Sequence, residues 1–192
     1  LDRVRNGFVT VRGGHRIGLC GTAVTDAGKI VGFRTLSSLN IRIAHEIKGS
    51  ARPLVPQLLE GERLQNTLIL APPGAGKTTL LRDLIRCLSD GDGVPIHRVG
   101  VADERGELAG LWEGEPQMEL GRHTDVLDGA EKANALLMLL RGMNPQVLAM
   151  DEITHPADVD ALCQAAGCGV ALLATAHGTT VESMNLRPIY RR

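Results

Sequence analysis

From Leu64 onward, short apolar runs alternate with stretches whose apolar positions recur at helical spacing. Thr67–Leu70, Arg98–Ala102, Val147–Met150 and Val170–Thr175 have the length and apolar character of buried strands. Thr79–Leu88, Gly129–Arg141 and Pro156–Ala166 read as helices. The second carries Ala133, Leu136, Leu137 and Leu140 on one face, and the third has Pro156 in its first turn. Strands alternating with helices predict a mostly parallel sheet covered on both faces. Such sheets bind ligands at the carboxyl ends of their strands.

The first part of the chain follows another period. Phe8–Arg12 alternates apolar and polar, Gly13-Gly14 signals a hairpin, and His15–Val24 reads as the returning strand. Asp26-Ala27-Gly28 marks a turn before Lys29–Phe33, and Ser37–Ala44 continues in the same vein. These are too few strands to bury a large core alone. Arg52–Leu64, with Pro53, Pro56 and Gly61, is expected to form a short helix. The reading is α/β: residues 1–49 are the end of a small β-rich N-terminal domain, residues 50–66 a linker, and residues 67–192 the domain of the mostly parallel sheet.

Composition narrows the function classes. At 192 residues with 43% hydrophobic and 2% aromatic residues, the core must be aliphatic. A net charge of −1 gives no global pull toward nucleic acid or anionic membrane. No apolar run approaches a membrane span. The chain opens Leu1-Asp2-Arg3, without Met or a signal-like segment, and reads as an excerpt of a longer protein. Cys20, Cys87, Cys163 and Cys168 form no C-x-x-C pair. They are expected to be buried small apolar residues of a reducing cytosol.

The candidate chemistry lies at the predicted strand ends. Thr67–Thr79 reads TLILAPPGAGKTT, the layout strand, glycine-rich loop, Lys-Thr, helix. Gly74, Ala75, Gly76, Lys77, Thr78 and Thr79 are the candidate phosphate-binding residues. Small residues let N–H groups approach phosphates, and the helix start faces the same anion. Lys77 reaches the β and γ phosphates, and the Thr78 hydroxyl is a ligand for Mg²⁺. The first position of the phosphate-loop pattern is Ala71 rather than Gly, tolerable where the strand ends.

Val147–Met150 delivers Asp151 and Glu152 to a strand end. Asp151 is the expected Mg²⁺ partner, and Glu152 the base for a water attacking the γ-phosphate. Thr175-Ala176-His177-Gly178 ends the next strand, which in P-loop ATPases with such a Glu inserts between the other two. His177 or Thr175 is then a γ-phosphate sensor, or His177 is an ordinary capped loop residue. Glu104 either binds water or Mg²⁺ or pairs with Arg105. Gly106–Gly129 reads as a long linker holding Trp112, Arg122, His123 and Asp125, with Arg122 either acting on a neighbour's phosphate or lying plainly on the surface. Arg141 is a weaker candidate of the same kind.

PPGAGKTTLLRDLIR, VADERGEL, GRHTDVLDGAEKA, LLRGMNPQVLAMDEI and TAHG, with VTVRGGHRIGLCG and SSLNIRIAHEIKG before them, together resemble the stage III sporulation protein AA family of ATPases. The resemblance covers nearly the whole chain. It implies a RecA-like ATPase core, kinship with type II and type IV secretion motors, ATP and Mg²⁺ as ligands, and a homo-hexamer. It also implies a place on the mother-cell side of the channel to the forespore during endospore formation, recruited by membrane proteins of that assembly. Asp151 stands where secretion motors often have Gly, which favours the sporulation branch. By the resemblance, the chain lacks the family's N-terminal beginning and its last strands.

The first expectation is therefore an Mg²⁺-dependent ATPase that turns hydrolysis into subunit motion, with Arg34 or Arg42 reaching the phosphates when the two parts close, or serving only as surface charge. A nucleotide-gated assembly scaffold with little turnover is the alternative. A nucleic-acid motor would need a basic stripe that this chain does not show.

Overall fold

The computed structural model describes residues 7–185 and 187–190; residues 1–6 and 191–192, within segments expected to be strand-like and part of the core, lie outside them. Two units are distinguished. One comprises the chain up to Glu46 together with Ala109–Met118, the other Ile47–Leu108 and the chain from Glu119 onward.

In the first unit, β1 (Phe8–Val11), β2 (His15–Asp26) and β3 (Lys29–Arg42) form an antiparallel meander in the order β1-β2-β3. β3 is one continuous strand where the sequence suggested two pieces, and three register shifts between Cys20 and Thr25 accommodate its length. At Gly21 an added Cβ would sit 1.9 Å from the carbonyl oxygen of Thr35, so only glycine fits the bulge. Ala109–Met118 folds back in this unit: the Gly13 N–H donates to Gln117 Oε1 at 2.8 Å, and Trp112 bridges to Glu115.

The second unit begins differently from the expectation. Arg52–Leu64 is not a helix but one 3-10 turn, Val55–Leu58, followed by the two-residue strands β4 (Leu59–Glu60) and β5 (Arg63–Leu64). Pro53 and Pro56 remove donors three residues apart, and Gly61 takes φ +62°, so no α-helix can pass through.

The main sheet is all-parallel and five-stranded, in the order β6-β10-β9-β7-β8. Its strands are β6 (Thr67–Ala71), β7 (Val99–Asp103), β8 (Thr124–Asp128), β9 (Val147–Met150) and β10 (Ala171–His177). The helices are α1 (Lys77–Asp90), α2 (Lys132–Gly142), α3 (Pro156–Gly167) and the short α4 (Val181–Asn185). β8 corrects the expectation of a linker through Gly106–Gly129: TDVLD pairs with β7 at the sheet edge, where two apolar residues suffice.

Alternation along the buried strands sorts the sheet into two faces. Ala102, Leu148, Met150 and Ala174 point to α2 and α3, where Leu136, Leu139, Ala161, Leu162 and Ala165 complete an aliphatic core. α1 packs on β6, β7 and β10 with Leu81, Leu84, Ile85 and Leu88 buried. The cysteines differ from expectation. All four are free thiols, but only Cys87 is buried, while Cys20, Cys163 and Cys168 are exposed. Cys20 lies on a two-face meander with little to cover it, and the other two lie on or just beyond the solvent side of α3. Among the described residues no helix is long and apolar enough to cross a membrane.

Candidate functional site

The carboxyl ends of β6, β10, β9 and β7 bring the chemistry-bearing residues to one edge of the sheet. Ala71 closes β6, and the loop after it runs to Gly76, the N-cap of α1. Gly74 and Gly76 have φ of +75° and +87°, which L-side chains rarely adopt, while a Cβ at either would meet nothing within 4 Å. Glycine is thus required for conformation, and the space over the loop stays open. Gly76 has no side chain to cap α1, so the first N–H groups of that helix face an opening suited to an anion.

Lys77 is buried, yet its Nζ is not idle. It donates to the Pro72 carbonyl at 3.0 Å and to Nδ1 of His177 at 2.8 Å. An ammonium only donates, so Nδ1 accepts and the ring proton sits on Nε2. That nitrogen is 2.9 Å from Glu152 Oε2, to which it donates. Lys77, His177 and Glu152 therefore form one hydrogen-bonded chain from the phosphate loop to the acidic strand end. β10 makes this possible by lying between β6 and β9, with His177 in register with Ala71.

A second chain runs beside it. Thr78 Oγ1 donates to Asp151 Oδ2 at 3.2 Å, and Thr175 Oγ1 donates to Asp151 Oδ1 at 3.0 Å. The Glu152 N–H donates to Thr175 Oγ1 at 2.9 Å and is 3.1 Å from Asp151 Oδ1. Thr175 is wholly buried, so it orients the acidic pair rather than meeting a ligand. The hydroxyl of Thr78 and the carboxylate of Asp151 form the hard oxygen set that Mg²⁺ prefers, close enough to share one ion. The residues fit an Mg²⁺-triphosphate.

Glu104 follows β7. Its Oε2 lies 3.7 Å from Nζ of Lys132, a partner that neither of the two readings of Glu104 named. A cavity of about 30 Å³ lies among Ala102, Asp103, Glu104, Lys132, Asp151 and Glu152. Asp103, by contrast, is consumed structurally: its Oδ1 accepts from the N–H groups of Glu107 and Leu108 at 2.8 and 3.1 Å. The remaining candidates of this unit lie on or beside other elements. The Arg122 N–H donates to Asp90 Oδ1, and the His123 N–H donates to Ser89 Oγ, so both tie the chain to the end of α1. Asp125 lies in β8, Arg141 in the last turn of α2, and Arg34 and Arg42 on β3 of the other unit.

Sequence reasoning missed Lys132, whose Nζ donates to the Glu152 carbonyl at 2.8 Å and to Thr154 Oγ1 at 2.9 Å. The available signal was a basic residue at a helix start, where the dipole disfavours it.

Comparison with known proteins follows the same lines. The family described as "Sporulation stage III, protein AA" matches residues 2–192. Stage III sporulation protein AA of Bacillus subtilis (strain 168) is 45% identical over 193 residues, covering 100% of this chain and 62% of that protein. Among solved structures, the ATPase DotB of Legionella pneumophila superposes with a TM-score of 0.58 at 18% identity, covering 90% of this chain and 45% of that one. The pilus retraction motor PilT with bound ADP gives a TM-score of 0.57 at 16% identity, covering 92% of this chain and 49% of that one. These likenesses show a fold shared with RecA-like ATPases.

Proposed function

The chain belongs to the sporulation stage III protein AA family, and we propose that it is an Mg²⁺-dependent ATPase whose hydrolysis drives subunit motion in a channel complex of endospore formation. The observation that carries this reading is the approach of Thr78 Oγ1 to Asp151 Oδ2, 3.2 Å, which sets the phosphate loop against the acidic strand end. The N–H groups of Gly74 to Thr79 and the ammonium of Lys77 bind the phosphates. Thr78 and Asp151 hold Mg²⁺, which when bound neutralises charge on the phosphate oxygens. Glu152 takes a proton from the attacking water. His177 stands between Lys77 and Glu152, so a γ-phosphate that draws Lys77 away also changes what His177 offers to Glu152. Glu104, at the rim of the cavity beside Glu152, contributes negative charge to the water's approach.

In the whole protein, of which this chain spans 62% of the B. subtilis relative's length, the reading extends to a homo-hexamer recruited by membrane proteins on the mother-cell side, without nucleic acid as a partner. The hydrogen bond between Glu152 and His177 favours one second reading. A base already engaged suits a scaffold that binds ATP with little turnover.

Phosphate release and ATP binding by wild type and Glu152→Gln, at several protein concentrations, separate these. The hydrolase reading predicts retained binding and turnover lowered about 10²–10⁴-fold in the variant, the usual worth of a positioned base. Equal phosphate release by the two proteins overturns it, and wild type that binds without turning over leaves the scaffold. A rate per subunit that rises with concentration supports sites completed between neighbours.

A further inference from the structure

Lys132 stands where physical chemistry disfavours it twice. As the first residue of α2 it faces the positive end of the helix dipole. It is also buried, 7% exposed, where an ammonium is costly unless paired. Packing does not require it: the other buried positions of α2 are Ala135, Leu136 and Leu139, and a methionine would occupy similar volume. The charge is held by four oxygens. The Glu152 carbonyl and Thr154 Oγ1 accept hydrogen bonds at 2.8 and 2.9 Å, and Glu104 Oε2 and Asp158 Oδ2 each lie 3.7 Å away.

Those oxygens belong to three elements that would otherwise end independently. Glu104 follows β7, Glu152 follows β9, and Asp158 lies in the first turn of α3. Asp158 Oδ2 in turn accepts from the N–H groups of Thr154 and His155 at 3.0 and 2.9 Å. Residues 152–155 are thus gripped by a cation on one side and an anion on the other. Glu152 begins that segment, so a fixed carbonyl fixes the origin of the side chain whose Oε2 meets His177.

We propose that Lys132 is a positioning residue for Glu152, clamping the segment after β9 so that the carboxylate keeps one location and Glu104 stays beside it. This rests on the hydrolase reading above. Its partners follow β7 and β9 or lie in α3, with none in the phosphate loop, so the clamp governs turnover and not nucleotide affinity.

The test compares wild type with Lys132→Met in three readouts: affinity for a fluorescent ATP analogue, the kcat for phosphate release, and amide exchange without nucleotide. Misplacing a reacting group by about 1 Å costs on the order of 10²-fold, so kcat falls about 10–100-fold with affinity within about twofold. Amides of residues 152–155 exchange about tenfold faster while those of α1 do not, because the opening is local. A kcat unchanged from wild type overturns the proposal. So does a parallel fall in affinity and kcat with faster exchange throughout, which marks general destabilisation. Wild type without phosphate release refutes the hydrolase reading instead, and local exchange at residues 152–155 then decides the clamp alone. If Lys132→Met does not fold, Thr154→Val removes one acceptor only. The same local exchange and selective loss of kcat are expected of it, and their absence counts against the clamp.

Discussion

One imidazole ties the basic and acidic halves of the site together. His177 accepts from Lys77 and donates to Glu152, which requires a single tautomer with its proton on Nε2. Behind it, Thr175 is the buried hydroxyl through which Asp151 and Glu152 are held in one arrangement. Valine has nearly the same shape but no hydroxyl. Thr175→Val is therefore expected to cost about 1–2 kcal/mol in urea unfolding, since Asp151 loses a donor and the Glu152 amide an acceptor. Turnover should fall more than ATP affinity, because the phosphate loop has no bond to Thr175. The strand-end positions of Glu152 and His177 were legible in the sequence because each comes at or just after the close of an apolar run. Lys132 was not, since one lysine in GAEKA looks like any solvated helix start until the structure shows four oxygens around its ammonium.

At the scale of elements, α1 joins the site to the segment before the sheet. Its N-terminus carries Lys77 and Thr78, while Asp83, one to two turns on, accepts from the Ala51 N–H at 2.8 Å and pairs with Arg86 at 2.8 Å. Burial alone would raise the Asp83 carboxyl. The Ala51 N–H and the Arg86 guanidinium outweigh it and hold the carboxyl below the ordinary value. Its contribution to stability is thus fully present above the unfolded-state value, about 4, and is lost as pH falls through the lower folded value. Asp83→Asn keeps an acceptor for Ala51 but leaves Arg86 short of its buried partner. It should lose about 1–3 kcal/mol at pH 7 and show a shallower decline of stability with acid, read by urea unfolding from pH 7 to pH 3. Burial likewise pushes the neighbouring Cys87 thiol up to about 11, so this one cysteine behaves as the inert apolar residue that the sequence suggested for all four.

The elements also differ in how readable they were. β9 is four consecutive buried residues, and VLAM announces this directly. β8 has only Val126 and Leu127 between polar residues, because an edge strand has one neighbour and needs less apolar surface. Arg52–Leu64 carried helix-like apolar spacing, but Pro53, Pro56 and Gly61 decide its backbone, and local chemistry overrides the pattern.

For the whole molecule, the parallel sheet with β10 inserted between β6 and β9 is what brings residues distant in sequence to one edge. DotB and PilT share that fold. The account requires that the phosphate loop and the acidic strand end serve one divalent ion. The direct measurement is ATP affinity with and without Mn²⁺, a spectroscopic substitute for Mg²⁺, in wild type and Asp151→Asn. Wild type should gain about tenfold or more in affinity from the metal, and the variant should lose most of that gain while binding metal-free ATP as wild type does. An undiminished metal-dependent gain in Asp151→Asn would contradict the shared-ion site.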